Sequence, residues 1–259
     1  MPEGDTIHYA ANRIRPVLEG HVPDELVTHA RFGRDRWPER LEGRAVRSVD
    51  AHGKHLFVRF DGGLTIHSHL RMTGAWRVLR RGQPWPRSPR SAWLVLRRGE
   101  HEVVQFNGPV LELMTEGRRR FDQRLAALGP DIVGEDFDPG RVVRRLREDD
   151  PTRPIGDALL DQRIVAGIGN LWKVEGCFLG GVDPWRPSGR VGDDEVLAVL
   201  SAVRPRMQQS ARDGNQSRFK TIYGTAGRPC PRCGPGSAIE ARGQWDDNRV
   251  TYWCPSCQT

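Results

Sequence analysis

Leu159-Leu160-Asp161-Gln162-Arg163-Ile164-Val165-Ala166-Gly167-Ile168-Gly169-Asn170-Leu171 is the stretch on which the fold of this chain turns. A short helix over Pro154–Leu160 ends here, Gly167 and Gly169 free the backbone to turn, and a second helix starts at Asn170. Backbone N–H groups exposed at a helix start, joined by an asparagine side chain, suit a phosphate oxygen. The competing reading is a plain helix-turn-helix in which Asn170 only caps the second helix. The stretch alone leaves both open.

The flanks of this turn read as helical, over Phe121–Leu128, Pro139–Glu148, Gly169–Leu179 and Asp193–Arg212. Asp213–Ser217 is polar and carries a glycine, which predicts a mobile stretch. Beyond it stand Cys230-Pro231-Arg232-Cys233 and Cys254-Pro255-Ser256-Cys257, two Cys-x-x-Cys pairs separated by twenty residues. That spacing predicts a tetrahedral zinc with a hairpin between two knuckles. Two disulfides are the alternative, and a reducing compartment works against them. So small a module lacks a core of its own, and zinc ligation supplies about 10–16 kcal/mol to such modules. The fifth cysteine, Cys177, lies in an apolar run and reads as core.

Toward the N-terminus the pattern differs. Asp5–Leu18 places Ile7, Ala10, Ala11, Ile14 and Val17 on one helical face, with Asp5 as a candidate cap and Gly20 after the end. From Val22 to about Leu113 come short alternating runs, among them Ala45–Asp50, His55–Phe60, Leu64–His69, Ala75–Leu79, Ala92–Arg97 and Glu102–Phe106. Strands at this spacing predict a β-sandwich or barrel. Arg80–Arg90 reads as an exposed loop and Met114–Arg120 as a linker. No internal repeat is present.

The 259 residues carry a net charge of +7 and a pI of about 9.6, which favours a polyanionic partner. Arginine bias accounts for part of this: of 40 basic residues only Lys54, Lys173 and Lys220 are lysines. No apolar run reaches the roughly 18 residues of a membrane span. Acids stand where a signal peptide has basic residues. The expected compartment is therefore the cytoplasm.

Met1-Pro2-Glu3-Gly4 carries a chemical possibility. Initiator methionine is usually trimmed before a small residue such as proline, exposing a secondary amine beside a carboxylate. Such an amine, with a pKa of about 8 or lower, can attack an electrophilic carbon and form an iminium. Glu3 is then placed for proton transfer. Taken alone, Pro-Glu is also an ordinary helix start. His67 and His69 alternate on one strand and read as strand side chains rather than metal ligands.

The N-terminal Met1-Pro2-Glu3-Gly4, the Gly167-Ile168-Gly169-Asn170 turn and the four-cysteine module together resemble the formamidopyrimidine-DNA glycosylase/endonuclease VIII family, in that family's order and at its distances. The resemblance covers essentially the whole chain. It implies an α+β multidomain fold: an N-terminal helix plus two-layered β-sandwich over 1–116, a helix–two-turns–helix DNA-binding domain over 121–226, and a C-terminal four-cysteine zinc-finger β-hairpin over 227–259. The implied activity is that of a bifunctional glycosylase and abasic-site lyase of base excision repair. Pro2 would attack C1′ of a flipped nucleotide, and Glu3 would protonate the sugar-ring oxygen. Lys54, in Ala51-His52-Gly53-Lys54-His55-Leu56, would contact phosphate at the lesion, as would Asn170 and the finger arginine Arg249. His69-Leu70-Arg71-Met72-Thr73-Gly74 matches the loop that fills the gap left by the flipped base, with Leu70, Arg71 or Met72 as the wedge. Glu175 matches a family acidic position and reads as a buried or capping carboxylate. Cys230, Cys233, Cys254 and Cys257 would hold one structural Zn2+ in a closed shell. The implied partner is damaged duplex DNA, with single-stranded or bubble DNA left open, bound by a monomer in a bacterial-type, nucleoid-associated setting.

One departure refines this. The formamidopyrimidine branch inserts an arginine and a phenylalanine near the end of the sandwich, whereas Phe106-Asn107-Gly108-Pro109-Val110-Leu111-Glu112-Leu113 lacks that pair. This is closer to the endonuclease VIII branch and favours oxidised pyrimidines. The sequence still admits a catalytically silent damage-binding relative. A zinc-ribbon transcription or ribosome-associated protein would explain charge and finger but not the N-terminus.

Overall fold

The computed structural model describes residues 2–244 and 249–259. The chain divides into two compact units, Met1–Ala126 and Ala127–Thr259.

Unit 1 opens with α1 (Gly4–Leu18), whose buried Ile7, Ala10, Ala11, Ile14 and Leu18 recur at helical spacing. Gly20 leaves the helix at φ +80°. The helix starts one residue earlier than the sequence suggests. Glu3 therefore takes the N-cap position, and Asp5 lies buried in the first turn instead of capping. After β1 (Glu25–Thr28) and α2 (Trp37–Leu41) come β2 (Val46–His52), β3 (His55–Phe60), β4 (Leu64–His69), β5 (Ala75–Arg80), β6 (Ala92–Arg98), β7 (His101–Phe106) and β8 (Val110–Thr115). They form two antiparallel sheets, ordered β1-β6-β7-β5 and β2-β3-β4-β8. Val49, Leu56, Val58 and Ile66 of one sheet share a core with Trp76, Leu94, Leu96 and Val103 of the other and with Ile7 and Ile14 of α1. Each such side chain contributes about 1.5–3 kcal/mol by burial. The sandwich is thus two-layered, as expected.

One expectation fails locally. The proposed linker instead completes β8 and forms α3 (Glu116–Phe121), where Thr115 Oγ1 accepts from Arg118 N at 3.2 Å. A cap and the Arg119–Glu116 ion pair outweigh the glycine at position 117; α4 (Gln123–Ala126) follows. The Arg80–Arg90 loop is largely exposed, yet Trp85 packs edge-on against Phe106 and donates to Glu102 Oε2 at 2.9 Å. It covers the outer face of β6 and β7 over Val95, Val104 and Phe106.

Unit 2 contains α5 (Pro139–Glu148), α6 (Ile155–Ala158), α7 (Asn170–Gly180) and α8 (Asp193–Asp213). Every residue of α7 from Asn170 to Phe178 is buried, so this helix is the axle of the unit. Where a mobile stretch is predicted, Gly214 closes α8 at φ +72° and Gln216–Phe219 forms a 3-10 turn. The finger is two antiparallel ribbons, β9 (Pro229–Cys230) with β10 (Gly234–Ala238) and β11 (Glu240–Gln244) with β12 (Arg249–Trp253). Its Cys230, Ile239 and Cys254 cluster with Val174 and Phe178 of α7. Arg232 donates to the Phe178 carbonyl at 2.8 Å, a cation at the C-terminal end of that helix. Among the described residues no helix is long and apolar enough to cross a membrane.

Candidate active site and nucleic-acid interface

Pro2 is half-buried, and Glu3 beside it is 1% exposed. The Glu3 carbonyl accepts from Ile7 N at 3.2 Å, so the N-cap residue is tied into the first turn of α1. Because α1 is anchored in the sandwich core, Glu3 at its N-cap is held in a fixed place. The positive end of the helix dipole favours a carboxylate there.

Lys54 sits with Gly53 in the two-residue turn between β2 and β3, where Gly53 takes φ +55°. Glycine supplies that left-handed conformation without strain. Across the ladder His55 faces His69, and Phe57 faces His67. His55 Nδ1 and His67 Nε2 are 2.8 Å apart, His67 Nδ1 is 3.5 Å from Glu112 Oε2, and the His55 and His69 rings lie 4.7 Å apart. Burial above all holds His69 down to about 4, helped by the Arg71 and Lys54 charges. Burial likewise pushes His55 to about 2, with His69 and His67 adding to it, and lowers His67 against the opposing pull of Glu112. This is a stack of neutral imidazoles at pH 7. Among the described residues, the four cysteines form the one group spaced to hold a metal ion; His67 and His69 lie on β4 as strand side chains.

His69 Nδ1 accepts from Arg71 N at 3.2 Å, which places its proton on Nε2. The following loop divides its residues sharply. Leu70 is 2% exposed and belongs to the sandwich core, whereas Met72 is 62% exposed and Arg71 stands exposed at φ +49°. Leu70 is therefore a core residue as the loop stands, and the tip consists of Arg71 and Met72.

In unit 2, the two turns before α7 are shaped by a residue that the sequence did not single out. Gln162 Nε2 donates to the carbonyls of Leu160 and Ile168, at 2.8 and 2.9 Å, and its Oε1 accepts from Gly167 N at 2.9 Å. Nothing in the local pattern marks a glutamine as such a strut. Gly167 adopts φ +103° at the bend. Gly169 is the N-cap, so Asn170 does not cap α7. Instead its Nδ2 donates to the Val250 carbonyl at 2.8 Å, joining the helix start to β12 beside Arg249. Asn170 and Arg249 are thereby brought to one place, while Pro2, Glu3, Lys54, Arg71 and Met72 belong to unit 1. Glu175 is fully buried, and its Oε1 accepts from Thr221 N, Ile222 N and Tyr223 N at 2.8, 3.0 and 2.9 Å. It is the capping carboxylate expected.

The four cysteine sulfurs lie within 4.8 Å of one another, with Cys230–Cys257 at 3.8 Å and Cys233–Cys254 at 3.7 Å. Four sulfurs at about 2.3 Å from a tetrahedral zinc are separated by about 3.8 Å, whereas a disulfide needs about 2.05 Å. The donor set fits zinc. Backbone N–H groups of Arg232 and Cys233 point at Cys230 Sγ, each at 3.4 Å, as around a thiolate. Cys177 is fully buried, and burial pushes its thiol up to about 12, which makes it inert core.

The formamidopyrimidine-DNA glycosylase N-terminal domain matches residues 1–124, and the H2TH domain of formamidopyrimidine-DNA glycosylase matches residues 128–221. The chain belongs to the formamidopyrimidine-DNA glycosylase/endonuclease VIII family. Relatives within this family include a probable endonuclease 8 2 of Streptomyces coelicolor, 41% identical over 100% of this chain and 94% of its own length. A DNA-(apurinic or apyrimidinic site) lyase of Mycolicibacterium smegmatis is 37% identical, covering 100% of this chain and 99% of the relative. The solved structure of Lactococcus lactis formamidopyrimidine-DNA glycosylase, bound non-covalently to DNA with an abasic site, superposes with a TM-score of 0.83. At 21% identity over 100% of both chains, it establishes the family's fold here.

Proposed function

We propose that this protein is a bifunctional DNA glycosylase and abasic-site lyase of base excision repair, acting on oxidised bases with pyrimidines favoured. The observation that carries this reading is the half-buried Pro2 beside a buried Glu3 at the anchored start of α1. With Met1 removed, the neutral Pro2 nitrogen attacks C1′ of a nucleotide flipped from the stack, the glycosidic bond breaks with its electron pair leaving on the base, and the proline N–H proton passes to that base. Glu3 protonates the ring oxygen, the ring opens, and the iminium forms. Loss of a C2′ proton then expels the 3′ phosphate by β-elimination, and δ-elimination releases the sugar from the 5′ phosphate. Covalent catalysis splits one difficult cleavage into easier steps. Extruding the base costs roughly a few kcal/mol, which Arg71 and Met72 at the loop tip offset by filling the gap.

Lys54, Asn170 and Arg249 bind phosphate in this reading, and one structural zinc on Cys230, Cys233, Cys254 and Cys257 holds the finger. Residues 1–116 form the catalytic domain, 121–226 the DNA-gripping domain and 227–259 the finger. The absence of an Arg-Phe insertion between β7 and β8 supports the pyrimidine preference.

Borohydride trapping on abasic-site duplex DNA tests the chemistry. A covalent adduct is expected from the wild type and a much weaker one from Pro2→Gly, because the remaining primary amine gives a neutral imine that must first be protonated, whereas proline gives the iminium directly. No adduct from protein whose intact mass shows Met1 removed would establish the silent damage-binding alternative.

A further inference from the structure

Lys173 is fully buried on α7, in a chain where only three of 40 basic residues are lysines. Lysine is almost never fully buried without hydrogen-bonding partners, because desolvating an ammonium is expensive. Its Nζ donates to Gln244 Oε1 at 3.0 Å and to Thr251 Oγ1. Thr251 Oγ1 in turn donates to Gln244 Oε1 at 2.7 Å, and Gln244 Nε2 donates to the Pro184 carbonyl at 2.8 Å. Room for that amide exists only because residue 156 is glycine: a Cβ there would lie 2.8 Å from Gln244 Oε1 and 2.9 Å from the Pro184 oxygen.

The placement of this network matters. Gln244 and Arg249 are cross-strand partners at the end of the β11–β12 ladder. Lys173 stands one helical turn beyond Asn170, whose Nδ2 holds Val250. One face of α7 thus grips the hairpin on both strands, at Gln244 on β11 and at Val250 and Thr251 on β12. We infer that Lys173, with Gln244 and Thr251, is a positioning residue that fixes the β11–β12 hairpin on α7 so that Arg249 and Asn170 present one preset phosphate-binding surface. The inference rests on the phosphate role proposed above for Asn170 and Arg249.

A double-mutant cycle on the zinc-loaded full chain tests it. Lys173→Met keeps the apolar stem, and Gln244 and Thr251 can still bond each other. Affinity is read on duplex DNA carrying a non-cleavable abasic-site analogue, and cleavage as a single-turnover rate at saturating abasic-site DNA. Lys173→Met should weaken binding about tenfold, the scale of a lost charge-assisted phosphate contact, with the saturated rate constant, zinc content and melting temperature close to wild type. It should also flatten the salt dependence by about one phosphate contact, as Arg249→Ala should. In the Arg249→Ala background, Lys173→Met should cost about twofold or less, because coupled residues are non-additive. Thr251→Val should weaken binding in the same direction and decides the matter if Lys173→Met does not fold. Wild-type affinity in both Lys173→Met and Thr251→Val, or fully additive losses with Arg249→Ala, would overturn the inference while leaving the phosphate role intact. Wild-type affinity in Arg249→Ala would remove that role itself, and the inference with it.

Discussion

The sandwich of unit 1 holds its site residues on an apolar core running from Ile7 to Leu113, whereas among the described residues the finger adds Cys230, Ile239 and Cys254, with Tyr252 and Cys257 packed against them, to the cluster it shares with α7. The difference teaches where rigidity comes from. Pro2 and Glu3 are held by the packing of α1, and Lys54 by the turn between β2 and β3. Arg249 is held by a metal-sized sulfur cluster, by Arg232 on the end of α7, and by buried amides and an ammonium. Damage to one kind of support should leave the other standing.

Stripping the metal is the largest expected effect. Ligation worth about 10–16 kcal/mol should vanish with a strong chelator, releasing amide-exchange protection over β9 to β12 while the β2–β3–β4–β8 sheet stays protected. Protection that survives chelation in the finger would show that packing, not zinc, holds it. Next, Glu3→Gln should lower the single-turnover cleavage rate by about 10²–10⁴, the range of general acid–base catalysis, with DNA affinity little changed. An equal loss of affinity would move Glu3 from the chemistry to the binding side of the comparison. Within the loop after β4, Leu70→Ala should cost about 2–5 kcal/mol of stability in urea unfolding. Met72→Ala should stay within about 0.5 kcal/mol and weaken lesion binding instead; the reverse pattern would make Leu70 the wedge.

The most gradual effect, spread over several pH units, is the pH response of the sandwich. His55, His67 and His69 are held below the ordinary imidazole value, so the unfolded chain binds protons that the folded one excludes. Their contribution is whole above about pH 6.5 and falls on acidification, by up to about 1.4 kcal/mol per pH unit for each imidazole. For His69 the fall continues to about pH 4, and for His55 to about 2. The groups facing this stack are His52, Lys54, Arg71, Glu112, Asp122 and Arg124. Stability measured between pH 7 and 4 should slope downward, and His69→Gln should make the slope shallower. A flat wild-type profile would sink this account.

Much of this comparison is legible in the sequence, and what is not has physical causes. The face of α1 and six of the eight sandwich strands follow from periodicity, and the finger follows from cysteine spacing. β1 is only four residues long and half-exposed, so its alternation carries too little signal. The α3 segment Glu116–Phe121 holds a glycine and three arginines; a threonine cap and an ion pair, not composition, make it helical. Trp85 reads as loop because its partner Phe106 lies on another strand. Within the site, Pro2, Glu3, Asn170 and the cysteines stand in recognisable motifs. Lys173, Gln244 and Thr251 do not, since they meet across separations of 71 and 78 residues.

The scarcity of lysine also has a practical consequence. Lys173 is sealed, Lys220 lies exposed after α8, and Lys54 is half-buried. A reagent that acylates amines in the native protein therefore has two side chains and the chain terminus to modify, rather than a field of forty cations. Two of those three targets, the terminus and Lys54, sit where the damaged nucleotide is proposed to bind. Acylation followed by mass spectrometry would consequently work as a footprint of the occupied site, with Lys220 as its internal standard.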